Sequence, residues 1–299
     1  MLPFHTLDVF TDRPFSGNPL AVVLEAGALS PAQMQTLARE FNLSETIFVQ
    51  PPRDPAHRAR VRIFFPTAEI PFAGHPTIGC AILLAEQDHG AGDFETTLVL
   101  EEVAGLVPVR VSRTGDRTTA EFTAPVLPHA APGTADPVLI ACALDLGAGD
   151  LGFGAHRPAI WQGGPRFLYV PVASLAALGR ARPIEPHWSA LMQAAGVDSA
   201  YLYTPGDEVD FRARMFSPTA GIPEDPATGS ASAILAAQLL AAGTVAPGET
   251  RLTLRQGVEM GRPSDIGLTI RADADGLTEV CVAGTAVRIA EGRIAVPPV

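Results

Sequence analysis

The chain contains no lysine: all 21 of its basic residues are arginine. Schiff-base chemistry, pyridoxal-phosphate attachment and a P-loop each need a lysine amine, so those classes are excluded. Cysteine is scarce. Cys80, Cys142 and Cys281 lie far apart without CxxC spacing, a pattern of free thiols in a reducing cytoplasm. The seven histidines are dispersed and form no HExxH, so no protein-bound catalytic metal is expected. The most apolar stretch, ASAILAAQLLAAG at 231–243, is too short to span a bilayer and contains Gln238, so no membrane partner is expected. The opening MLPFHTLDVF has neither a basic leader nor a long apolar segment, which predicts a cytoplasmic protein. The net charge of −11 gives no electrostatic footprint for nucleic acid.

What remains is a globular chain of 299 residues, 47% apolar and 18% charged. At roughly 150 residues per domain, that length suggests two domains. Strand-like HTLDVF and LAVVLE flank a turn-rich loop, TDRPFSGNP. SPAQMQTLAREFN predicts a helix with Ser30 as N-cap and Pro31 in its first turn. LSETIFVQ and RVRIFF read as strands, PTIGCAILLAEQDHG as a helix ending at Gly90, and the following segments mainly as strands. The Ala-, Pro- and Gly-rich stretch from about 125 to 155 reads as a connection between domains.

A repeat organises this outline. RIFFPTAEIP at 62–71 recurs as RMFSPTAGIP at 214–223, and FAGHPTIGCAILLA after the first copy matches EDPATGSASAILAA after the second. Removing two residues aligns His75-Pro76 with Asp225-Pro226, Gly79 with Gly229, and Cys80 with Ser230. A duplicated domain is the simplest reading, with expected units at 1–125 and 126–299 and terminal strands able to pack back on the first.

In each copy a strand, a tight turn, an ionisable residue and a proline lead into an apolar helix. Helix starts present unsatisfied amides and a positive dipole end, which suit a carboxylate ligand. Two facing copies would aim His75 and Asp225 at one cleft. The competing reading makes both residues helix caps, Asp225 especially. Glu45 is the one polar member of the alternating row Leu43, Glu45, Ile47, Val49; burial there would favour its neutral form and suit it to acid/base work. A solvated strand-end glutamate is the alternative. Asn18 reads equally as turn chemistry, and Ser230 as a small packing residue. No GxSxG surrounds Ser230, which argues against hydrolysis by a serine nucleophile.

SGNP, NLSETIFV, PFAGHPTIG and GIPEDPATGSA, in that order, resemble the PhzF-like phenazine-biosynthesis family over nearly the whole chain. The resemblance implies a diaminopimelate epimerase-like fold: an α/β (α+β) chain of two similar domains, each a curled, mostly antiparallel sheet around a central helix, with the active site between them. It also implies a homodimer, no cofactor and no metal. By motif matching, Glu45, His75 and Asp225 correspond to the family's catalytic residues, and Asn18, Gly74, Gly229 and Ser230 to substrate-contacting positions.

The expected activity is therefore an isomerase that moves a proton within a small carboxylate-bearing, dihydro-hydroxyanthranilate-like substrate. Two alternatives are an amino-acid or hydroxy-acid epimerase or racemase, and a metabolite-binding protein without turnover. A two-thiol racemase is disfavoured by the residues themselves, because Cys80 aligns with Ser230.

Overall fold

The computed structural model describes residues 1–298, which divide into two compact units: Met1–Pro125 with the chain from Ala283 on, and Val126–Val282. In the first unit, β1 (Leu2–Val9) runs antiparallel to β2 (Asn18–Val23). Helix α1 (Pro31–Phe41) begins with a capping box, Ser30 accepting from the Gln33 amide while the Gln33 side chain accepts from the Ser30 amide. Strand β3 (Glu45–Gln50) is parallel to β2, and β4 (Ala59–Phe64) returns antiparallel to β3. The two-residue β5 (Glu69–Ile70) folds back on β4 and leads into α2 (Gly74–His89). Strand β6 (Phe94–Glu102) is parallel to β4, and β7 (Gly105–Thr114) and β8 (Arg117–Thr123) follow as antiparallel neighbours.

Helix α2 is apolar on every side, and all residues from Gly74 to Ala85 are buried. A helix with no polar face has to be enclosed. The sheet does so: α2 touches β1, β2, β3, β6, β7 and β8. Amphipathic α1 lies outside, where Met34, Leu37 and Ala38 pack on Phe48 and Phe64. Strand β3 is consequently buried on both faces from Glu45 to Val49, not on the single face that alternation alone predicts.

The second unit repeats this topology. It contains β9 (His129–Ala130), α3 (Pro137–Leu144), β10 (Ala159–Gln162), β11 (Arg166–Pro171), α4 (Leu175–Arg180) and α5 (His187–Ala195). Then follow β12 (Ala200–Pro205), β13 (Phe211–Ser217), β14 (Ile222–Asp225), α6 (Gly229–Ala241), β15 (Gly248–Gln256) and β16 (Ser264–Ala272). Strands β10 to β13, β15 and β16 pair in the same parallel and antiparallel sequence as β1 to β4, β6 and β7. Helix α6 takes the central place, and α4 and α5 cover the outer face over a core that includes Trp188. The last strand, β17 (Leu277–Ile294), begins in the second unit, and its residues 286–294 pair with β1 of the first.

One segment departs from the sequence expectation. The stretch from 125 to 155 is not merely a connection, because α3 forms within it, capped by Asp136 on the Val138 amide with Pro137 in its first turn. Its Ala-rich composition hides a short helix whose Ile140 and Leu144 join the outer core. Among the described residues, no helix is long and apolar enough to cross a membrane.

Gly79 shows how tightly α2 is enclosed: a Cβ there would lie 2.6 Å from Leu20 Cδ2 and 2.8 Å from Val9 Cγ2. Gly79→Ala should therefore destabilise the protein by about 1–3 kcal/mol despite alanine's better helix propensity, the ordinary cost of overpacking a core. Denaturant titration checks this, and a neutral or stabilising result would show that α2 has slack against β1 and β2.

Candidate active site

In the first unit, Glu45 opens β3 opposite Leu20 of β2 and is almost fully buried. Its Oε2 lies 3.4 Å from Nδ1 of His75, and the Asn18 amide nitrogen lies 3.2 Å from that same ring nitrogen. Burial drives the His75 pKa down to about 3, with the Pro19 carbonyl pulling weakly the other way. The imidazole is thus neutral at physiological pH, and its contact with Glu45 is not an ion pair.

The structure decides two alternatives left open by the sequence. Helix α2 has Ala73 as its N-cap, so His75 is the second residue of the helix and caps nothing. Asn18 is the first residue of β2 and fully buried, so it is more than a turn residue. The turn function belongs to Gly17, at φ +67°, where a Cβ would meet the Val9 carbonyl oxygen at 2.4 Å. Gly74, the first residue of α2, is buried beside His75. Asn18, Glu45, Gly74 and His75 are thereby brought together around one helix start.

In the second unit, Asp225 ends β14, three residues before the N-cap Thr228, so it is not a cap either. Its carboxylate accepts a 2.6 Å hydrogen bond from the Thr228 hydroxyl. Gln256, at the end of β15 and fully buried, clamps this turn. Its Nε2 donates to the Asp225 carbonyl at 2.7 Å and to Thr228 Oγ1 at 3.0 Å, while its Oε1 accepts from the Thr228 amide at 3.2 Å. Since Thr228 Oγ1 accepts from glutamine, its single proton is committed to Asp225. The approach is close enough that Gly257, at φ +77°, has no room for a Cβ, which would lie 2.7 Å from the Pro226 carbonyl oxygen. Gly229 and Ser230 open α6, Gly229 buried and Ser230 half-buried, where helix amides lack intrahelical partners.

Sequence reasoning missed Thr228 and Gln256, and also Asp8, a buried acid in β1 that accepts the Phe15 amide at 2.6 Å and so shapes the loop before Asn18. Asp8 and Thr228 had a visible signal, as polar residues inside HTLDVF and beside the repeat. Gln256 had none, being 31 residues from its partner in sequence.

Strand register extends the repeat beyond the motifs. With Phe64 matched to Phe216, the pairings Thr46–Phe64 and Ala200–Phe216 place Ser199 where Glu45 stands. The pairings Arg60–Glu101 and Arg212–Arg255 likewise place Gln256 where Glu102 stands.

A sequence profile described as phenazine biosynthesis-like protein matches residues 7–292. The chain belongs to this family. It is 44% identical over 295 residues to an uncharacterized isomerase of Mesorhizobium japonicum, covering 96% of each chain. It is 38% identical over 289 residues to trans-2,3-dihydro-3-hydroxyanthranilate isomerase of Pseudomonas chlororaphis, covering 96% of this chain and 97% of that one. The crystal structure of the PhzF-family phenazine biosynthesis protein of Bacillus anthracis superposes with a TM-score of 0.85 at 25% identity, covering 98% of this chain and 99% of that one. With named isomerases matching it almost end to end, the chain is an isomerase with the epimerase-like fold.

The buried neutral imidazole has a thermodynamic consequence. Unfolded, His75 binds a proton near its ordinary pKa of 6.5; folded, it does so only near 3. Between these values the unfolded state takes up more protons, so His75 lowers stability as the pH falls through that window. Thermal melts of the wild type and His75→Gln should converge from neutral pH toward pH 4, with the wild type losing more. A constant difference would show that folding leaves the proton affinity of His75 unchanged.

Proposed function

We propose that this isomerase moves a proton within a small, carboxylate-bearing, dihydro-hydroxyanthranilate-like substrate, with Glu45 as the group that removes and returns it. The observation that carries this reading is the buried Glu45 carboxyl beside a neutral imidazole and a fixed amide. A carboxyl sheltered from water beside a neutral imidazole is equipped both to accept and to donate a proton. His75 and Asn18 orient it, and the neutral imidazole stabilises charge as the proton moves. Asp225, fixed by Thr228 and Gln256, handles the substrate's polar groups. The helix-start amides, at Gly74 in one unit and at Gly229 with Ser230 in the other, suit a carboxylate. The substrate class follows the printed activity of the Pseudomonas chlororaphis relative. The proposal extends to a cytoplasmic homodimer, as the family resemblance implies.

The residue opposite in the repeat also bears on the reaction. An epimerase that works with two matched acids would be served by an ionisable group at both equivalent strand starts, but Ser199 stands where Glu45 has its counterpart. One acid/base group favours a shift in which the same carboxyl takes a proton from one carbon and delivers it to another.

Turnover of trans-2,3-dihydro-3-hydroxyanthranilate in D₂O, followed by NMR, tests both points. Glu45→Gln should lower kcat by about 10²–10⁴-fold, the usual contribution of a positioned acid/base, while substrate binding stays measurable. Undiminished turnover by the variant removes Glu45 from the proposed role. Deuterium appearing only at the carbon that lost the proton would favour epimerisation over a shift.

A further inference from the structure

One buried acid has no part in this account. Glu102, the last residue of β6, is enclosed beside the first turns of α2. Its Oε1 lies 2.7 Å from the Thr77 hydroxyl, and that hydroxyl lies 2.7 Å from the carbonyl of Ala73, the N-cap of α2. The Thr77 hydroxyl has one proton and the Ala73 carbonyl has none to give. A threonine in a helix ordinarily donates to the carbonyl four residues back. With that proton committed, the second short contact is a hydrogen bond only if Glu102 supplies a proton of its own. Its other oxygen, Oε2, is buried without a hydrogen-bond partner, tolerable for a neutral carboxyl and costly for an ionised one.

The repeat supports the same assignment independently. Gln256 occupies the equivalent position in the second unit and directs its amide N–H at the Thr228 hydroxyl beside α6. A protonated glutamate is the near-isostere of that glutamine, and a carboxylate is not. Thus both units place a neutral donor from the end of the same strand against a threonine at the start of the central helix.

We propose that Glu102 works as a neutral carboxylic acid that donates its proton to Thr77 and thereby positions the first turn of α2, with His75 upon it. This rests on the isomerase reading above for its bearing on turnover. Burial raises the Glu102 pKa to about 8, against a smaller opposing effect of the Thr77 hydroxyl. The titratable group facing it from α2 is Cys80, whose thiol is itself pushed up by burial and then by Glu102, with Arg58 opposing. Neighbouring Glu101 on β6 is bound instead to His57 and to the amides of Arg53 and Asp54. Among the described residues, no counter-cation is bonded to the Glu102 carboxyl to favour its ionised form.

Glu102→Gln keeps the donor and removes the titration. In the unfolded chain glutamate ionises near 4.5, whereas the folded protein holds this proton to about 8. The native state then binds more protons across that interval, and its stability falls as the pH rises through it. The melting temperature of Glu102→Gln should therefore gain on the wild type steadily from pH 4.5 to 8. A constant gap overturns the proposal. This readout needs no substrate, so it stands or falls apart from the isomerase reading. Should the variant not fold, infrared spectroscopy of the wild type decides: a buried protonated-carboxyl band should persist at neutral pH and fade above about pH 8, and its absence at neutral pH is equally fatal. In the turnover assay, Glu102→Gln should retain the wild-type neutral rate and lack the wild-type decline above about pH 8. Loss of the neutral rate, or the same decline in both proteins, refutes the positioning role.

Discussion

A helix enclosed on every side carries its N-terminal amides into an interior where water cannot satisfy them. Both central helices here face that constraint, and polar residues accumulate where their first turns lie. Around the start of α2 stand Asn18, His75, Thr77 and Glu102, with Glu45 at the adjacent strand start. Around the start of α6 stand Asp225, Thr228, Ser232 and Gln256, with the Tyr201 hydroxyl near Ser232. The chemistry sits where the fold has a standing need for hydrogen-bond partners. Anion affinity and a polarised environment arise from the same geometry that buries the helix.

The duplicated framework also shows where the two units have diverged. Strand pairing is conserved between them, and the register assigns a counterpart to each polar residue. Glu45 is replaced by Ser199, His75 by Asp225, and Glu102 by Gln256. At these three positions the first unit has two carboxyls and a neutral imidazole, while the second has a carboxylate whose hydroxyl partner is committed to it through a glutamine. Divergence has acted on side chains at fixed backbone positions. A symmetric scaffold thus carries an asymmetric set of proton donors and acceptors.

Much of this was legible in the sequence because it is local or repeated. The Ser30 cap, the enclosed apolar helices and the paired motifs near His75 and Asp225 all follow from neighbours a few residues apart. What escaped is set by tertiary contact. Asn18 looked like turn chemistry because Gly17 beside it does make the turn. His75 and Asp225 looked like caps because a proline follows each, whereas the N-caps are Ala73 and Thr228, neither with a side-chain capping bond. Glu102 ends a strand in two adjacent acids, of which Glu101 is bonded to a loop and Glu102 to a helix. Strand register, which no local pattern encodes, was needed to pair it with Gln256.

The closing strand gives the molecule an order of assembly. Residues 286–294 of β17 supply the neighbour on the outer side of β1, so β1 is completed by a strand made after the whole second unit. While the chain is still on the ribosome, β1 is bordered by β2 alone and presents an open edge. The intervening Val126–Val282 unit leaves the exit tunnel before that edge is covered. Domains generally fold as units in the order they emerge, but here the first unit has to wait for residues 286–294, which are made after the second unit. The interval is a vulnerable one: until β17 arrives, the unit that holds Glu45 and His75 exposes backbone groups able to pair with another nascent chain.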